Sequence, residues 1–146
     1  MTTIAYKDGV IAYDSRMTMG SLIKDDNCDK RIDRDDIIFF LAGDVGDEDE
    51  FIDAILAESA EHDRDLHVHG LMVKSDKLYE IGMDEDCKFW KIHISYGKTV
   101  AIGTGGEHAL TAMDMGASAI EAVYMAGKRD TNTGGTIRVY GIGRNV

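Results

Sequence analysis

Apolar positions along the chain come in short runs cut by glycines and acidic pairs, and in only two stretches do they recur at helical spacing. Residues 2–6 and 10–13 are β-rich runs on either side of Lys7-Asp8-Gly9. An Asp-Gly between apolar runs predicts a tight hairpin, because glycine reaches positive φ without steric cost. Asp14-Ser15-Arg16 closes the second run, and residues 17–23 read as extended and broken by Gly20. Residues 24–36 are the most charged stretch of the chain. Ile37-Ile38-Phe39-Phe40-Leu41-Ala42 follows without a polar residue, which predicts a strand buried on both faces and stopped at Gly43.

Asp47-Glu48-Asp49-Glu50 places acids where the positive end of a helix dipole favours them, and Phe51, Ile52, Ile55 and Leu56 recur at helical spacing. An amphipathic helix is expected over residues 48–61, its exposed face acidic. Strand patterns resume at residues 66–74, 78–83, 87–95 and 99–102, read together as an antiparallel meander. Residues 107–127 are rich in alanine and methionine and predict one helix or two, with Gly116 the expected break. Residues 127–135 read as a loop and 136–142 as a last strand. Strands in blocks, interrupted by blocks of helix, predict an α+β chain with two antiparallel sheets covered by helices. Neither a repeat nor a linker divides residues 1–146, so a single domain is expected.

Composition narrows the function classes. The formal charge is −11 and the pI near 4.7, the wrong sign for neutralising nucleic-acid phosphates. No apolar run is long enough to span a bilayer, and the N-terminus lacks the basic start and apolar core of an export signal. A cytoplasmic protein is expected, with Cys28 and Cys87 as reduced thiols. Proline is absent, so turns fall to the 16 glycines and to Asp and Asn.

The candidate chemistry begins at the terminus. Removal of Met1 would leave Thr2 with both a hydroxyl and a free α-amine, a nucleophile with a built-in base. The reference pKa of such an amine, about 7.7–8.0, lets it accept the hydroxyl proton near neutral pH without a histidine.

Five segments in order then carry a resemblance. They are Thr2-Thr3-Ile4 with residues 9–20, Lys30 placed 16 residues after Asp14, Ala42-Gly43, residues 101–106 (Ala-Ile-Gly-Thr-Gly-Gly), and residues 129–135 (Arg-Asp-Thr-Asn-Thr-Gly-Gly). Together they resemble mature proteasome β subunits and the HslV peptidase, both N-terminal-nucleophile threonine proteases. The resemblance implies a four-layer αββα sandwich of the Ntn-hydrolase type and a threonine endopeptidase working by acyl transfer. By its register Thr2 is the nucleophile, and Asp14 orients Lys30, whose positive field favours the alkoxide. The Gly43 N–H faces the oxyanion, and Thr104, Asp130 and Thr133 hold the terminus. Thr18 pairs with an extended substrate backbone, and Met17, Cys28, Leu41 and Val45 line an apolar specificity pocket. The resemblance further implies a ring-shaped homo-oligomer, peptide or unfolded-protein substrates, an AAA+ unfoldase as a partner, and no cofactor.

The chain departs from that family in its shorter opening hairpin, by four residues, and in fewer helical residues. Asp44 stands where a second glycine is usual and brings a carboxylate close to the oxyanion site. A catalytically silent scaffold subunit, or an amidase acting on a small molecule, are the alternative readings. Three further patterns fall short of a site. Asp25, Asn27, Asp29, Asp33 and Asp36 have calcium-loop spacing, but Lys30 stands where that loop needs glycine. His62, His67 and His69 lack a further zinc ligand at motif spacing. The Gly103–Gly106 turn lacks the lysine of a phosphate-binding loop.

Overall fold

A computed structural model describes residues 2–142 of the chain. The elements are β1 (Thr3–Lys7), β2 (Val10–Tyr13), β3 (Met17–Met19), β4 (Leu22–Asp25), β5 (Arg31–Arg34), β6 (Ile37–Gly43), α1 (Glu48–Leu56), β7 (Val68–Lys74), β8 (Lys77–Met83), β9 (Phe89–Ile94), β10 (Val100–Gly103), α2 (Gly106–Asp114), α3 (Ala119–Arg129) and β11 (Arg138–Gly141). They form an antiparallel α+β fold. One sheet has the order β10-β1-β2-β11, a second β5-β6-β7-β8-β9, and β3 and β4 make a separate hairpin.

Strand alternation explains the layering. In β1 and β2, Ile4, Tyr6, Ile11 and Tyr13 face the second sheet, where they meet Phe40, Leu71, Val73 and Leu78. Ala5 and Ala12 point the other way, against Ala109, Met113, Ala122, Val123 and Ala126 of α2 and α3. Small residues on both sides of that contact let the helices lie close to the sheet. In β6 the two faces divide likewise: Phe40 and Ala42 join the inter-sheet core, while Phe39 and Leu41 pack with Phe51 and Ile52 of α1. The order is therefore helix, sheet, sheet, helix, and β6 is covered on both faces as its apolar run predicts.

The opening hairpin forms at Asp8 and Gly9, whose φ values of 50° and 82° suit the twist of a two-residue connection. Elsewhere the structure differs from the sequence pattern. Residues 99–102 do not extend the meander: β10 crosses to the first sheet and pairs with β1, Thr3 opposite Gly103 and Ile4 opposite Ile102. Ile102 reaches the inter-sheet core only from there.

The first helix ends at Leu56 and not near residue 61. Glu58 takes a φ of 55°, its N–H bonding Ile55 O while Ser59 N–H bonds Ala54 O, a glycine-type helix stop made without glycine. Residues 31–34, read as part of the charged stretch, form β5 beside β6. The intervening turn uses positive φ at both Asp35 (54°) and Asp36 (63°). Gly116, at φ 109°, separates α2 from α3 as expected, but α3 runs on through Gly127 to Arg129. Its start is fixed by Ser118 and Glu121, which exchange reciprocal side-chain-to-backbone bonds.

Gly103 is the position where side-chain absence matters most for the N-terminal strand. Its φ is +99°, and a Cβ there would lie 1.8 Å from the Thr2 carbonyl oxygen. Gly103→Ala is expected to lower stability in urea by about 2–4 kcal/mol, as steric exclusion and positive-φ strain add. Gly97, with nothing within 4 Å of a built Cβ, should tolerate alanine with little change in the same measurement.

Candidate active site

Asp14 follows the last residue of β2 and is wholly buried. A carboxylate there is tenable only with donors around it, and the fold supplies them from three segments. Oδ1 accepts from the Thr2 hydroxyl, from Thr3 N–H at 3.1 Å and from Lys30 Nζ at 2.8 Å. Oδ2 accepts from Gly134 N–H at 3.0 Å and Arg16 N–H at 3.4 Å. Lys30 Nζ also donates to Thr2 Oγ1 at 2.6 Å. The Thr2 hydroxyl thus sits between an ammonium and a carboxylate. The Lys30 side chain is 13% exposed, and burial pushes its ammonium below the ordinary lysine value against the opposing pull of Asp14.

A second chain of bonds lies alongside. Burial alone would raise the Asp130 carboxyl, but hydrogen bonds from Thr104 and Thr133 hold it below the ordinary value. Its Oδ2 accepts from Thr104 Oγ1 at 2.5 Å and Thr133 Oγ1 at 2.7 Å, and its Oδ1 from Asn132 N–H at 3.1 Å. Thr133 Oγ1 is then 2.6 Å from Thr3 Oγ1. This network therefore reaches the first strand through Thr3, a residue for which the sequence offered no role. The α-amine that Met1 removal would expose belongs to a step outside the described residues.

One cavity of about 530 Å³ opens onto Thr2. Lys30, Gly43, Met17, Thr18, Cys28, Leu41 and Val45 line it, as do Arg16, Asp29, Ile32, Asp44, Glu48 and Asn132. The residues that the resemblance assigns to substrate therefore converge, and apolar surface, from Met17, Ile32 and Leu41 among others, makes up the larger part of the wall. Asp29, Asp44 and Glu48 are acidic residues of the same wall, the Asp29 carboxylate accepting from Tyr13 Oη and Arg31 N–H.

Glu48 was legible only as a helix-start acid. Its side chain is half-buried, and burial, with Asp49 nearby, pushes it up to about 7, while Lys30 pulls the other way. Gly43 has a φ of +127°, and a Cβ there would fall 1.9 Å from His67 O. Asp44 follows as an exposed residue whose N–H donates to His67 O at 2.8 Å. Among the described residues its carboxylate has no ion-pair partner.

The patterns set aside have other uses. Asp26 holds Arg16 at 2.8 Å, Asp33 holds Arg31 at 2.7 Å, and Asp29 accepts from Tyr13 Oη at 3.2 Å. His69 pairs with Glu80 at 2.7 Å and His67 is exposed, so the three histidines do not converge. Glu50, His62 and Asp63 bring ligand atoms within 4.8 Å of one another, but the Arg64 guanidinium already donates to Glu50 at 3.2 Å.

No protein-family model matches the chain, and no curated protein matches it in sequence. Solved structures do. Thiobacillus denitrificans BPH in complex with epoxomicin superposes with a TM-score of 0.68 at 18% identity, over 97% of this chain and 98% of that one. At that identity the likeness is one of fold. Among the described residues no helix is long and apolar enough to cross a membrane.

Glu48 gives the site a pH signature in stability. Its folded-state value lies above the ordinary 4.5, so its protonated form stabilises the fold below that value and the contribution is lost as pH rises through about 7. Glu48→Gln is expected to melt higher than the wild type at pH 8, by about 2–4 °C per kcal/mol recovered, and to show no advantage at pH 5, measured by thermal denaturation.

Proposed function

We propose that the chain is a threonine peptidase of the N-terminal-nucleophile, proteasome-like class, active once Met1 is removed. The observation that carries the reading is the placement of Lys30 Nζ 2.6 Å from Thr2 Oγ1 while Asp14 holds the same ammonium at 2.8 Å. A lysine so fixed lowers the cost of negative charge on the hydroxyl oxygen in a poorly solvated place. The epoxomicin complex of the structural neighbour supports the same class.

The proposed reaction is acyl transfer. The α-amine of Thr2 takes the hydroxyl proton as Oγ1 attacks the peptide carbonyl carbon, and the carbonyl oxygen becomes an oxyanion beside Gly43. Collapse breaks the C–N bond, the amine leaves with the proton, and the acyl group remains as an ester on Thr2. Water, deprotonated by the free Thr2 α-amine, then attacks the ester carbonyl, and the C–O bond to Oγ1 breaks as the α-amine returns the proton to restore the hydroxyl. Asp14 is neither acid nor base here. It fixes Lys30 and, through Thr3 N–H, the start of β1. The Thr104–Asp130–Thr133 chain positions that strand from its other side through Thr3.

The partner reading belongs to the same proposal: a homo-oligomeric ring in the cytoplasm, taking peptides or unfolded segments delivered by an AAA+ unfoldase. Exposed Met115, Ile120 and Tyr124 on the outer helix layer support self-association. One observation favours a silent scaffold instead: the Asp44 carboxylate beside Gly43, in the wall of the cavity.

Met1-processed protein, its processing checked by intact mass, is expected to cleave unstructured fluorogenic peptides. The rate should rise from pH 6 to 9 as the amine, about 7.7–8.0 in reference, loses its proton. Thr2→Ala and Lys30→Ala should each lose on the order of 10³-fold or more in kcat/KM. Equal cleavage by processed wild type and Thr2→Ala would remove the peptidase reading, and absence of cleavage by both would favour the scaffold.

A further inference from the structure

Resting on the peptidase reading, we infer that Glu48 sets which substrate side chain the cavity accepts, a basic one when its carboxylate is ionised and a neutral one when it is protonated. The cavity's own cations are already engaged. Lys30 is held by Asp14 and Thr2, and Arg16 by Asp26 at 2.8 Å and by Thr131 O at 3.0 Å. Asp44 and Glu48 line the same space without a salt bridge within 4 Å among the described residues, whereas the Asp29 carboxylate accepts from Tyr13 Oη and Arg31 N–H.

The remainder of the wall includes apolar side chains, Met17, Ile32 and Leu41. An apolar sleeve with acids along it matches the build of lysine and arginine, whose methylene stems pack on hydrocarbon while the charged end seeks a carboxylate. A volume of about 530 Å³ leaves room for either side chain.

Glu48 differs from its two acidic neighbours in ways that make it the variable element. It is half-buried, it opens α1, and it faces two charges of opposite sign: Lys30 across the cavity and Asp49 on its own helix. Burial and Asp49 place its proton loss near neutrality, about 7, inside the range in which such an enzyme would work. The other groups around the cavity are Cys28, Asp29, Asp44 and the committed Arg16. Asp29 and Asp44 add a preference for cations that Glu48→Gln leaves in place, so the mutation isolates the part belonging to Glu48.

The test uses Thr2→Ala protein, so that hydrolysis plays no part. Fluorescein-labelled peptides differing only in one residue, arginine or leucine, are titrated and followed by anisotropy at pH 6 and pH 8.5. The ratio of arginine to leucine affinity is expected to rise about five- to tenfold between the two pH values, the scale of one partly solvated charge pair. With Glu48→Gln added the ratio should change little with pH, and with Glu48→Asp part of the rise should return. A wild-type-sized rise in the Glu48→Gln protein, a flat ratio in its parent, or binding of neither peptide would each overturn the inference. The peptidase reading fails by a separate result, the lack of cleavage of both peptides by Met1-processed wild type.

Discussion

The buried carboxylate of Asp14 is the constraint on which the site depends. A charged group with no exposure is stable only when its lone pairs are filled, and here donors come from residues 2, 3, 16, 30 and 134. Those positions lie far apart in sequence, so satisfying one side chain ties the first strand, the segment before β5 and the loop after α3 together. Removing Lys30 would leave the carboxylate without its counter-charge, a change that costs about 3–5 kcal/mol where such pairs are buried. Stability and the activation of Thr2 therefore draw on the same contact.

Close backbone approach is the second requirement. Gly103 brings β10 against Thr2, and Gly43 brings the end of β6 against His67, in both cases to distances that exclude a Cβ. The two glycines sit at matching places, each the last residue of its strand.

The pocket shows how charge and burial combine to make function. Three acidic residues line a cavity whose two cations are each held by another carboxylate, Lys30 by Asp14 and Arg16 by Asp26. The net charge of −11 is mostly solvated surface, but this part of it is directed inward.

Much of the fold is readable in the sequence. The Asp8-Gly9 hairpin, the doubly covered run of residues 37–42, the acidic helix start and the break at Gly116 each follow from local chemistry, since periodicity and turn residues act over a few positions. The residues that meet around Thr2 were legible only through resemblance, because no local rule links positions 2, 14 and 30. Other features were not legible at all. The crossing of β10 to the other sheet is a long-range pairing, the Glu58 helix stop uses a residue without glycine's signature, and β5 was hidden by its charges. The inward face of Glu48 depends on where α1 packs against β6, and Thr3 became a link because strand pairing put it beside Thr133. Sequence by itself determined most of the strand and helix segments, through periodicity and turn residues, and which residue types could do chemistry. The tertiary structure decided which of them share a space, because burial and charge pairing arise only when distant segments meet.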